Sequence, residues 1–247
     1  MAVELGDGTG LAVEVKASGD LFLETVGTLL AILFLSAPLA QVVPLHSTPS
    51  RVAVVNPANL LALHANCASQ TIYGLFRPVP AAVPANLYGL AASIYYLGTC
   101  WHSVWRLQKS GSEIRGWDHR TAVACVVAVS LSAAMYLYAA RPWHPSASEH
   151  VGHLALLFSV CLFASPLSVL TSVLAERSSE LLPPVNCFLG LLCSGCWSII
   201  GLRAWSKPIY VPNMLGVLLS LLQLALILIF PSKKGKISVK DSKEDLA

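Results

Sequence analysis

Apolar residues along this chain gather into long runs, separated by short clusters of polar and charged residues. Seven runs can be marked, at roughly 22–45, 52–76, 79–106, 121–140, 151–174, 184–205 and 209–231. Each is long enough for a helix to cross the hydrocarbon core of a bilayer, which takes about 20 residues. The pattern predicts an all-α membrane protein of seven transmembrane helices. No stretch between runs could hold a domain: the longest, about 107–120, is little more than QKSGSEIRGWDHR. The chain ends in KKGKISVKDSKEDLA, whose composition predicts a disordered tail.

The runs repeat. FLSAPLA (34–40) is similar to FASPLSV (163–169), SQTIYGL (69–75) to CWSIIGL (196–202), and VPANLYG (83–89) to VPNMLGV (211–217). Positions 70 and 197, 74 and 201, 86 and 213, and 89 and 216 are each 127 apart, and 38 and 166 are 128 apart. Chance would not hold one offset over so many residues, so the chain reads as two three-helix units with the fourth run between them. A three-helix unit repeated directly would invert in the membrane, and one intervening helix restores its direction. The expectation is two parallel three-helix bundles joined by a linker helix. The divisions are a tail at 1–21, a first repeat at 22–106, a loop and linker helix at 107–147, a second repeat at 148–231 and a tail at 232–247.

Composition agrees with a membrane protein. Hydrophobic residues make up 55% of the chain, charged residues only 12%, and the mean hydropathy is +0.65, where a soluble domain carries about 25% charge. A net charge of +3 without basic runs interleaved with aromatics argues against a nucleic-acid partner. The first twenty residues hold Glu4, Asp7, Glu14 and Asp20 against one base, Lys16, which is not the basic start of a secretory signal. Basic residues concentrate on the cytoplasmic side of membrane proteins. With the N-terminus outside, the inner segments carry 11 Lys and Arg residues and the outer ones 5. The expected topology is N-terminus outside, C-terminus cytoplasmic, in a multi-pass protein of the plasma membrane, with an endomembrane as the alternative.

Candidate chemistry is sparse. The seven cysteines all lie in apolar runs and are odd in number, so a disulfide framework is not expected. The pair Cys193 and Cys196 has no second pair to complete a zinc site. No carboxylate lies in the middle of a run, and the Lys of a retinal Schiff base is missing from the seventh. The chain contains no nucleotide loop, H-E-x-x-H or G-x-S-x-G, so neither an enzyme nor a cofactor is expected. His64 reads as a hydrogen-bonded core residue. Pro38 and Pro166 should break the first helix of each unit, and Pro57 and the pair Pro183-Pro184 open the second helices. Each proline removes a backbone donor and frees a carbonyl, which membranes tolerate where neighbouring helices or a water-filled cavity satisfy it. Asn86 and Asn213 sit at matching places in the third helices. An amide offers both a donor pair and an acceptor, which suits vicinal hydroxyls. Trp197 can lay its flat face on the C–H face of a sugar ring, and its repeat mate is Gln70, another amide.

These stretches resemble the SWEET family of sugar facilitators. ASPLSV, SSELLPP, CWSIIGL and the Val-Pro-Asn motif are similar to that family's second repeat, and FLSAP, NCASQTIYGL and N-L-Y-G to its first. The resemblance covers nearly all of 30–231 and is more specific in the second repeat. It implies two triple-helix bundles joined by helix four, often assembled as a trimer, and bidirectional uniport of mono- or disaccharides. It places the pocket asparagines on Asn86 and Asn213, the pocket tryptophan on Trp197, wall residues on Asn66 and Cys193, and hinge prolines on Pro38, Pro57, Pro166 and Pro183. The sequence departs from the family pattern at Gln70, at the extra Ala37 and in the spacing of Pro57. Two other classes compete. Pro-Gln-loop amino-acid exporters carry a Pro-Gln dipeptide where this chain has Pro38-Leu39 and Pro166-Leu167. A non-transporting receptor should hold arginines within the membrane, and Arg177 and Arg203 lie near helix ends. Small sugars, monosaccharides such as glucose, are the expected substrate.

Overall fold

A computed structural model describes residues 8–77, 79–111, 114, 116–141, 146–230 and 232. Every regular element among them is helical. In chain order these are α1 (Gly8–Leu35), α2 (Leu39–Val42), two 3₁₀ turns (Val43–His46 and Pro49–Val54), α3 (Pro57–Phe76), α4 (Ala82–Lys109), α5 (His119–Ala139), α6 (Ala147–Leu162), α7 (Ala164–Glu176), α8 (Pro184–Arg203) and α9 (Lys207–Ile229). Among the described residues, five stretches are long and apolar enough to cross a membrane: Asp20–His46, His119–Ala139, Ala147–Glu176, Pro184–Arg203 and Lys207–Ile229. The other two of the seven spans, α3 and α4, carry more polar side chains and pack among their neighbours, with much of α3 from Cys67 to Gly74 buried.

The proline effects differ by position. Span one stops at Leu35 and passes through a turn at residues 36–38, and span five is interrupted at Phe163, one turn before Pro166. Both breaks follow from the donor that proline lacks. Pro57 and Pro184 behave otherwise. Each occupies the first turn of its helix, α3 or α8, where the amide would be unbonded anyway. The expectation that these prolines free a carbonyl is therefore corrected, because they start helices rather than break them. They are also 127 apart, so by register the mate of Pro57 is Pro184 and not Pro183. Two boundaries also move. The first unit's second helix begins at Pro57 rather than 52, because residues 49–54 form a 3₁₀ turn. Most of the N-terminal tail is not separate, since α1 already begins at Gly8. The C-terminal tail, apart from Ser232, lies outside the described residues.

Helix pairing repeats along with the sequence. The first unit packs α3 on α4 and α1 on α4; the second packs α8 on α9 and α6 on α9. Between units, α3 packs on α6 and α8 on α1. Close approach is repeated in detail. A Cβ added to Gly89 would lie 2.5 Å from the Sγ of Cys67, and one added to Gly216 would lie 2.5 Å from the Oγ of Ser194. Cys67 and Ser194 are themselves repeat mates. Helix α5 packs on α3 and α6. It is tied to α3 through His64, which is 2% exposed: its Nδ1 lies 3.0 Å from the Oγ of Ser93 on α4, and its Nε2 lies 3.3 Å from the Oγ of Ser132 on α5. His64 is thus the hydrogen-bonded core residue expected of it. All seven cysteines are free thiols.

Candidate functional site

Between the two units lies a cavity of about 500 Å³, within the roughly 300–1,000 Å³ of small-molecule sites. Asn66, Gln70, Asn86, Cys193, Trp197 and Asn213 all line it. Of the four candidate hinge prolines, Pro166 and Pro183 line it, while Pro38 and Pro57 are not among its lining residues. No carboxylate, ammonium, guanidinium or imidazole group appears among the described lining residues, so the cavity is uncharged.

The two asparagines are held alike. Asn86 Nδ2 donates to the carbonyl of Ala82 at 2.8 Å, and Asn213 Nδ2 donates to that of Ile209 at 2.7 Å. One N–H of each amide is thereby spent on its own helix four residues back. The carbonyl oxygen and the second N–H remain for a ligand.

Gln70 and Trp197 each reach across to the other unit. Trp197 is 6% exposed, and its Nε1 donates to the carbonyl of Gly27 on α1 at 3.0 Å. Gln70 is 7% exposed, and its Nε2 donates to Ser159 Oγ on α6 at 3.2 Å and to the Pro208 carbonyl on α9 at 3.1 Å. That carbonyl needs an outside donor, because the residue one turn on is Pro212 and has no N–H to offer. A carbonyl can only accept, so it fixes which end of the Gln70 amide faces it. The Oε1 of Gln70 is left buried and without a partner. Ser159 Oγ donates in turn to Asn66 Oδ1 at 2.6 Å. Asn66, Ser159, Gln70 and Pro208 are thus linked by hydrogen bonds through helices of both units.

The cavity is closed at one end and open at the other. Beyond Gln70 and Trp197, Tyr73 and Ser206 share a hydrogen bond of 2.9 Å. Arg77 pairs with Glu149 at 3.4 Å, and Arg203 pairs with Asp20. All of these contacts join one unit to the other. At the opposite end the lining continues to the exposed residues Leu181 and Asn186, where the cavity meets solvent.

Six polar contributors escaped the sequence reading: Ser159, the Pro208 carbonyl, Asn186, Ser194, Ser220 and Gln223. Ser159 is the mate of Ala31 at the 128 offset, so laying the first helices of the two units on one another would have placed it. Gln223 is a polar residue within the apolar run 214–230, which was a signal in itself. No sequence feature announces that a main-chain carbonyl will be reached from another helix.

A family model described as "Sugar efflux transporter for intercellular exchange" matches residues 149–235. The sugar transporter SWEET1 of Dictyostelium discoideum is 28% identical over 210 residues, covering 85% of this chain and 93% of that protein. The mouse sugar transporter SWEET1 is 25% identical over 224 residues, covering 91% and 97%. The solved structure of a eukaryotic SWEET transporter superposes with a TM-score of 0.70 at 22% identity, covering 85% of this chain and 96% of that one.

Proposed function

We propose that the chain is a member of the SWEET family, as its relatives support, and that it carries small sugars, monosaccharides such as glucose above all, down their gradient across a membrane in either direction. The observation that carries this reading is the uncharged cavity with an amide from each unit facing it. A zwitterionic amino acid would enter such a site with its ammonium and carboxylate unpaired, at high desolvation cost. A neutral ring rich in hydroxyl groups instead finds donors and acceptors in Asn86 and Asn213 and a flat apolar face in Trp197. A carrier must release what it binds, so affinity around millimolar is expected, about −4 kcal/mol. No proton-coupling carboxylate lies among the described lining residues, which fits transport that only equilibrates its substrate.

In this reading residues 22–106 and 148–231 are two units that rock about the shared cavity, with 107–147 as their connector. The basic-residue distribution puts the turn at 177–183 on the cytoplasmic side. The open end is then cytoplasmic, and the closed end carrying Tyr73, Ser206 and the two ion pairs is the outer one.

The test is uptake of radiolabelled glucose, fructose and sucrose, beside amino acids, in a yeast lacking its own hexose carriers. Asn86→Ala and Asn213→Ala are each expected to abolish sugar flux with surface abundance near that of the unmodified chain. If both variants keep more than about half the flux, the pocket assignment fails. Uptake of amino acids in place of sugars would overturn the reading itself.

A further inference from the structure

The repeat is not used equally in its two copies. At the offset of 127, Asn59, Ser93 and Tyr96 of the first unit correspond to Asn186, Ser220 and Gln223 of the second. The first three are consumed by the protein. Ser93 is wholly buried and bonds to His64 and to the Leu90 carbonyl. Tyr96 is likewise buried, and its hydroxyl donates to the Leu35 carbonyl at 3.0 Å. Asn59 also makes an interaction within the protein, and none of the three lines the cavity. In the second unit the position of His64 is held by Leu191, so Ser220 has no imidazole to meet. Asn186, Ser220 and Gln223 all line the cavity, between the central asparagines and the open mouth. None of their side chains makes a hydrogen bond among the described residues.

We propose that Asn186, Ser220 and Gln223 form a second, shallower subsite at the mouth, which takes one hexose ring by its hydroxyl groups before that ring reaches Asn86 and Asn213. The inference rests on the sugar-carrier reading above. Two amides and a hydroxyl supply both donors and acceptors, while Val169 of the same lining supplies apolar surface for the C–H face. A sugar moving inward from solvent exchanges its water in two stages rather than one, each against groups that both donate and accept. The subsite belongs to the second unit alone, so it serves the state open at this end.

The test uses a reporter that spares the subsite. Leu181, at the mouth and half exposed, is replaced by Cys in the full-length chain, and its alkylation by a membrane-impermeant thiol reagent is followed in membranes with and without glucose at about 50 mM, well above the millimolar affinity expected of the central site. The unmodified chain is subtracted as background. Glucose is expected to slow alkylation at least threefold. That protection should persist in Leu181→Cys/Asn213→Ala, where central binding is removed, and should fall below 1.5-fold in Leu181→Cys/Asn186→Leu/Gln223→Leu. Protection lost with Asn213→Ala would show that the mouth is shielded by a movement following central binding, and would overturn the subsite. Protection unaffected by the double leucine change, or no protection in any background, would overturn it as well. Glucose flux through the Leu181→Cys chain is measured in parallel. A chain that carries no sugar fails the transport reading, while a chain that carries sugar without mouth protection fails the subsite alone.

Discussion

Trp197 does two things that one substitution would confound. Its ring faces the cavity, and its indole N–H holds α8 to the Gly27 carbonyl of α1. Trp197→Phe keeps an aromatic face and loses only the bond, whereas Trp197→Ala loses both. The sucrose-to-glucose flux ratio, normalised to protein at the membrane, should rise severalfold for Trp197→Ala and stay within about twofold of the unmodified chain for Trp197→Phe, a hydrogen bond being worth about 1 kcal/mol net. A ratio unmoved by Trp197→Ala would show that this ring does not set the pocket's size. Gln70 is its mate in register, yet it is tied to Ser159 and Pro208 rather than free to stack. All six candidate residues line the cavity; the repeat points at Asn86, Asn213, Trp197 and Gln70, whereas Asn66 and Cys193 come only from the family resemblance. What they do between units could not, since it depends on which carbonyl a proline has left bare on a distant helix.

Among the elements, sequence located the breaks well and the starts poorly. Pro38 and Pro166 lie where the chain has been helical for several turns, so the missing donor interrupts span one and span five. Pro57 follows an apolar stretch that reads as helix from residue 52. In the structure the 3₁₀ turn ends at Val54, and Val52 within it and Val55 just after it join a core with Leu60, Tyr96 and Trp117. Burial there satisfies the same hydrophobic pattern without an α-helix. The linker helix α5 depends on His64, which lies outside the cavity. His64→Leu, which installs what the second unit has at this position, leaves Ser93 and Ser132 without their imidazole. It should cost about 1–3 kcal/mol, seen as a lower melting temperature in detergent, with the glucose KM unchanged. A shifted KM at unchanged stability would contradict this purely structural role. Gly216→Ala drives a methyl group toward Ser194 and should destabilise by about 1–3 kcal/mol through overpacking. Ser194→Ala added to it should recover part of the loss in the same melting experiment, because it removes the nearest atom. If the two changes simply add, the α8–α9 contact is not where the strain sits.

For the whole molecule, closure at one end rests on neutral hydrogen bonds and two exposed ion pairs. Exposed pairs contribute little, on the order of 0–1 kcal/mol each, so Gln70, Trp197 and Tyr73 are the principal clasp. With nothing charged in the described cavity lining, net flux should stop once inside and outside concentrations match. Accumulation above the external level that collapses on adding a protonophore would refute passive transport. The clasp also carries a condition on how it lets go. When the units part, the Pro208 carbonyl loses the Gln70 amide, and Pro212 guarantees that its own helix cannot replace that donor. A bare carbonyl in a dry seam is costly, and the one small donor able to follow the separating helices is water. Opening at this end would therefore bring water to the Pro208 carbonyl, whose hydration is part of the cost of parting the units.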